Sequence, residues 1–137
     1  MIIVSACLVG INCRYDGGNN ANQKAIEMVN KGFAIPVCPE QLGGLTTPRI
    51  PAEIIGNKVI NKNGEDVTGY FKKGAQETLQ IAKLANCRKA ILKQSSPSCG
   101  CGKIYDGTHT GKIIAGKGIT AKLLEANGIK IITEEYL

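Results

Sequence analysis

The sequence predicts the α/β class, as a three-layer Rossmann-like fold with a mostly parallel sheet of about four strands plus a small hairpin. Three observations carry this. Short apolar runs of strand character recur at 1–6, 33–37, 88–94 and 129–133. Helix-like segments at 20–32, 66–86 and 118–128 alternate with them. The connections are long enough to return each strand parallel to the last, with the right-handed crossover such units adopt.

"MIIVSA" (1–6) is apolar nearly throughout, as a strand covered on both faces must be. "NANQKAIEMVNKG" (20–32) places Ala25, Ile26, Met28 and Val29 at helical spacing and stops at Gly32. In "FAIPV" (33–37), Pro36 cannot donate to a ladder, so this strand belongs near its end or at a sheet edge. "AEIIGNKVINKNG" (52–64) reads as a hairpin turning at Gly56–Asn57. "DVTGYFKKGAQETLQIAKLAN" (66–86) is a long helix with Asp66 as N-cap and Leu79, Ile81, Ala82, Leu84 and Ala85 supplying its apolar side. "RKAILKQ" (88–94) is the third core strand. "QSSPSCGCGKIYDG" (94–107) is too polar and too rich in Gly, Ser and Pro for a helix or buried strand, so it reads as a loop. "GITAKLLEANG" (118–128) and "IKIIT" (129–133) supply the last helix and strand.

The bulk numbers restrict the function classes. At 137 residues the chain reads as a single domain, 1–137, that needs no staples to fold. It has no run of 18 apolar residues, and its start lacks the basic region of a signal peptide. A cytoplasmic protein is expected. In a reducing compartment six cysteines are metal ligands or reactive groups more readily than a disulfide framework. The net charge of +6 suits anionic ligands, but aromatics are only 4% and do not interleave with the lysines, so a dedicated nucleic-acid surface is not favoured.

Ligands of open α/β sheets bind beyond the carboxyl ends of the strands. The first strand runs into "SACLVGINCRYDGG" (5–18), the second into "CPEQLGGLTTPR" (38–49) and the third into "SSPSCGCG" (95–102). Each of these loops delivers a thiol, Cys7, Cys38 and Cys99, to one edge of the sheet. Three convergent thiolates suit a soft metal or an iron–sulfur cluster, whereas structural zinc wants a fourth Cys or His. The only histidine, His109, lies in a polar loop, so a zinc set stays incomplete unless it joins. The bland readings are definite too. The thiols could be small buried hydrophobes, Glu40 could merely pair with Arg49, and Ser96 before Pro97 could be a turn residue. Cys87 reads as core packing, while Cys101 could be a spare thiol, a sulfur acceptor or a further ligand.

"SACLVGINCRYDG", "VCPEQLGGLTTPR" and "KQSSPSCG" resemble the three signature segments of the thiouracil desulfidase family, and the similarity runs through nearly the whole chain. The resemblance implies a [4Fe-4S] cluster held by three cysteines, with one iron not ligated by protein. It carries over Cys7, Cys38 and Cys99 as ligands, with Cys13 the alternative to Cys7, and Glu40 and Ser96 as catalytic residues. The implied reaction is non-redox removal of sulfur from thiouracil or a related thiolated base or nucleoside. Arg14, Tyr15 and Asp16, in a polar turn before Gly17–Gly18, are candidates for holding a substrate edge. The expected partner is a small thiolated pyrimidine, with tRNA or RNA possible but not favoured, no membrane, and a monomer or weak dimer. Two other readings stay open: a non-catalytic zinc- or thiol-based sulfur-trafficking module, and a nucleic-acid-binding domain.

Overall fold

The computed structural model describes residues 1–137. In chain order its strands and α-helices are β1 (Ile2–Ser5), α1 (Gln23–Asn30), β2 (Ala34–Val37), α2 (Pro39–Leu42), β3 (Ala52–Ile55), β4 (Lys58–Asn61), α3 (Thr68–Leu84), β5 (Lys89–Leu92), β6 (Cys101–Tyr105), β7 (Ile113–Lys117), α4 (Ile119–Ala126) and β8 (Lys130–Thr133). A 3₁₀ turn, Ala6–Val9, follows β1 directly.

The central sheet has the order β2-β1-β5-β8 with all neighbours parallel. Ile3 and Val4 are both fully buried and point to opposite faces, which is why the first strand is apolar at successive positions. Val4 packs with Leu8, Ala25, Ala34 and Ile91 beneath α1. Ile3 packs with Ala82, Ala90, Leu92, Ala121 and Leu124 beneath α3 and α4. These are the three layers. Pro36 sits in β2, at the sheet edge, where its missing N–H costs no ladder bond.

The helix and hairpin boundaries mostly follow the local signals. Asn22 caps α1 by accepting the N–H groups of Lys24 and Ala25, and the chain leaves it at Gly32 with φ +78°. The first hairpin turns at Gly56–Asn57, as its sequence predicts. Three features differ. Asp66 is not the N-cap of α3; Val67 is, and the Asp66 carboxylate instead accepts the backbone N–H of Thr68 at 2.9 Å. The buried side of α3 is Phe71, Ala75, Thr78 and Ala82, while Leu84 is 74% exposed, because α2 and α4 set the helix rotation. Finally, 94–107 is not all loop. Cys101–Tyr105 pairs antiparallel with Ile113–Lys117 in a second hairpin, and α2 also went unanticipated. Most residues of that hairpin are exposed, so it lacks the apolar alternation by which strands are read.

Helix α2 is only four residues long and depends on its support. It lies so close to α3 that a methyl group on Gly74 would overlap the Pro39 carbonyl, and one on Gly43 would overlap the Tyr70 carbonyl. In an open helix Gly→Ala gains about 1 kcal/mol. Here the obstruction is backbone, which cannot give way as a flexible side chain would. Gly74→Ala is therefore expected to destabilise the fold by about 2 kcal/mol, the scale of overpacking, read as a lower urea midpoint. No helix is long and apolar enough to cross a membrane.

Candidate active site

Strand order reverses direction between β1 and β5: the chain goes from β1 to β2 on one side, then returns to add β5 on the other. At such a switch point the loops leaving the two strands diverge and open a crevice beyond their carboxyl ends. A cavity of about 460 Å³ lies there. Its floor comes from the loops after β1, β2 and β5, including Cys7, Cys13, Cys38, Glu40, Ser96 and Cys99. Glu53, Lys62, Tyr105 and His109, in or beside the two hairpins, line it as well.

The thiols form one group. Cys13 sits beside both Cys7 and Cys38, and the Cys38 thiol donates to the Cys13 carbonyl at 3.8 Å. Cys13 keeps its own proton, its pKa pushed up, while its single S–H, within reach of either neighbour, lowers Cys7 and brings Cys38 down to about 7. Cys99 lies beside Cys7, Cys38 and Glu40. Burial pushes it up, opposed by a hydrogen bond with Ser5. All six cysteines are free.

Glu40 follows Cys38 by two residues, in the first turn of α2. Burial raises its pKa, and Arg49 and Ser96 pull it back down. Arg49 Nε donates to Glu40 Oε1 at 3.1 Å, with side chains only 7% and 17% exposed. The guanidinium also donates to the Cys13 carbonyl at 2.8 Å and to Thr47 Oγ1 at 2.9 Å. One arginine thus ties the first loop to the second. The Arg49 pairing foreseen as a bland role for Glu40 does exist, yet the carboxylate still lines the cavity.

The Cys99 loop is held from both ends. Ser96 Oγ accepts the backbone N–H groups of Ser98 and Cys99, each at 3.1 Å. Its lone pairs are then engaged, which leaves its O–H free for Glu40 alongside. Across the loop, the first N–H groups of α4 donate to it: Ile119 to the Pro97 carbonyl and Thr120 to that of Ser98, both at 2.9 Å. These are the helix donors that no intrahelical partner satisfies.

Of the residues picked out from the sequence, Arg14 and Tyr15 line the cavity. Asp16 does not; its carboxylate accepts the Gly18 N–H at 2.9 Å and pairs with Arg14, closing a local turn. Cys101 is away from the other thiols, donating to Glu125 at 3.3 Å. Cys87 is buried in the core. Asn20, Glu53, Lys62, Lys93 and Tyr105 also line the cavity and were not anticipated. Only Lys93 carried a usable signal, its place at the end of the third core strand.

The donor set fits an iron–sulfur cluster better than a single ion. No group of three His, Cys, Asp or Glu side chains is set closely enough to hold one metal ion, as a zinc module would need. A cluster spreads its thiolates over several irons. The cavity is also more than ten times the roughly 30 Å³ share of one water.

Known proteins resemble the whole chain. YbbK of Bacillus subtilis (strain 168), itself uncharacterized, is 48% identical to this chain over 147 aligned positions covering 100% of it and 97% of the relative. The solved structure of the [4Fe-4S]-dependent thiouracil desulfidase TudS superposes with a TM-score of 0.96 at 43% identity, covering 99% of this chain and 91% of that one. The 2-thiouracil desulfurase family matches residues 2–136. With its cysteines, carboxylate and serine gathered at one sheet edge, the chain belongs to the 2-thiouracil desulfurase family.

Proposed function

We propose that this chain is an iron–sulfur-dependent desulfidase that replaces the sulfur of thiouracil or a related thiolated base with oxygen, without net redox change. The observation that carries it is the meeting of Cys7, Cys38, Cys99, Glu40 and Ser96 in one cavity of a desulfurase-family chain. In balance, C=S and water become C=O and hydrogen sulfide.

Cys7, Cys38 and Cys99 are the ligands in this reading, leaving one iron of a [4Fe-4S] cluster without a protein ligand. Cys7 is preferred to Cys13 because it neighbours both Cys38 and Cys99, whereas Cys13 neighbours Cys7 and Cys38 and holds its own proton, its pKa pushed up. When bound, the cluster supplies a soft Lewis acid suited to the departing sulfur. The chain's own residues manage the water and protons. Arg49 occupies Glu40 Oε1, fixing the carboxylate so that it can take a proton from the attacking water. The Ser96 hydroxyl donates toward Glu40 or toward a ring heteroatom. Arg14 and Tyr15 form part of the wall against which the pyrimidine lies.

The partner in this reading is a small molecule, and the protein a cytoplasmic single-domain monomer or weak dimer. Charge pairing supports the small molecule. Arg14 is paired with Asp16, Arg49 with Glu40 and Lys93 with Glu134, so most basic groups of the cavity are not free for phosphates. Anaerobic reconstitution is expected to give brown protein with about four irons per chain that releases sulfide from 2-thiouracil or 4-thiouracil. One zinc, no iron and no sulfide would instead establish the trafficking module. Ser96→Ala is expected to strip two backbone N–H groups of their acceptor, costing about 1–2 kcal/mol, and to slow sulfide release. Denaturant melts and turnover measure the two effects separately.

A further inference from the structure

Between β5 and β6 the chain makes a loop whose two ends are joined by one buried side chain, Gln94, only 7% exposed. Its Oε1 accepts the backbone N–H groups of Cys101 at 2.8 Å and Lys103 at 3.3 Å. Its Nε2 donates to the Cys101 carbonyl at 2.9 Å. The amide thus exchanges two bonds with Cys101, as a paired residue in a sheet ladder would. The second N–H of Nε2 goes to Glu135 Oε1 at 3.2 Å. All four positions of the amide are then filled, and a flipped amide would set its N–H groups against those of Cys101 and Lys103. Further support comes from the 3₁₀ turn Glu134–Tyr136, which follows β8. Glu134 Oε1 accepts the Gln94 backbone N–H at 2.7 Å, and its other oxygen pairs with Lys93 at 3.1 Å. Glu135 Oε2 pairs with Lys103 at 3.1 Å.

We infer that Gln94 is a positioning residue: its amide, oriented by Glu135, holds the loop 95–100 in the shape that sets Ser96 and Cys99 at the cavity. The inference rests on the desulfidase reading for what those two residues do. The start of α4 does not hold the whole loop. Its donors reach the carbonyls of Pro97, Ser98 and Gly100, and none reaches Ser95 or Ser96. Ser95 has φ +68°, a conformation that a residue with a side chain keeps only where its surroundings hold it. Those surroundings are one bridge to Ile104 and Gln94 Oε1, 3.4 Å from the Ser95 nitrogen. Once the Gln94 amide lets go, the turn at Ser95 relaxes and carries Ser96 with it. Cys99 follows, because Ser96 Oγ accepts its backbone N–H.

The test compares the full-length wild-type chain with Gln94→Glu and with the double variant Gln94→Glu/Glu135→Gln. Gln94→Glu keeps the shape and the acceptor for Cys101 and Lys103. It sets a second carboxylate oxygen against the Cys101 carbonyl and Glu135. Adding Glu135→Gln offers that oxygen an N–H, so the two side chains are joined again with reversed polarity. Before reconstitution, the amide proton resonances of Ser98 and Cys99, which report their bonds to Ser96 Oγ, are expected to move upfield in Gln94→Glu. Those of Val4 and Ile91 in the sheet should stay in place, and the double variant should return the first two toward wild type. Glu135 is 44% exposed, so Glu135→Ala carries the same test on a substitution the fold absorbs, with shifts in the same direction. After reconstitution, turnover of 4-thiouracil per bound cluster is expected to fall about tenfold or more in Gln94→Glu. KM should change little, since the amide has no free position for substrate, and the double variant should regain most of kcat. Unmoved Ser98 and Cys99 resonances overturn the inference. So does a raised KM at unchanged kcat, which would make Gln94 a substrate contact, or a double variant no better than the single one. Failure of the desulfidase reading shows differently, as wild type that releases no sulfide while the amide resonances still report whether Gln94 sets the loop.

Discussion

Cys38→Ala protein is expected to stay colourless after anaerobic reconstitution and to release no sulfide from thiouracil. Cys38 is the residue between β2 and α2, so its position is tied to the sheet on one side and to the Gly43–Gly74 contact on the other. Its thiol is also brought down to about 7, chiefly by the neighbouring Cys13. A thiolate available at neutral pH is what a ligand requires. Two companion variants separate the neighbouring cysteines. Cys7→Ser is expected to lose iron as Cys38→Ala does. Cys13→Ser, which keeps a donor beside the two sulfurs, is expected to retain most of it. Iron retained by Cys7→Ser and lost by Cys13→Ser would reverse the assignment.

Glu40→Gln is expected to bind iron and stay brown while turnover falls by about 10²–10⁴, the range attributed to a positioned general base. The substitution is nearly isosteric, and its amide oxygen can still accept from Arg49 Nε, so the tie from the first loop to the second survives. What disappears is the capacity to hold a proton. Loss of iron together with loss of activity would mark Glu40 as a structural support. Unchanged turnover would remove it from the chemistry. Measuring iron content and sulfide release on the same preparation keeps these results apart.

The sheet was legible because its signals are local. Successive buried positions in "MIIVSA", the edge proline in "FAIPV" and the Gly56–Asn57 turn each act within a few residues. The ends of α3 were less so. Asp66 and Val67 compete for the cap, and Leu84 belongs to the helical pattern but points to solvent because neighbouring elements rotate the helix. The second hairpin carries no such signal, because its glycines and exposed Ile113 and Ile114 erase the alternation that marks a strand.

The same division holds at the site. By itself the sequence determined that Cys7, Cys38 and Cys99 leave the carboxyl ends of parallel strands. It also placed Glu40 and Ser96 within three residues of two of them, because chain connectivity alone carries them there. Tertiary structure decided the rest: that Cys13 lies beside two other thiols, that Arg49 spans two loops to hold Glu40, and that Asp16 turns away from the cavity. It also joined Glu53 to His109 across 56 residues. Such contacts depend on how loops approach one another after the sheet has formed, and no local period or turn motif records that approach.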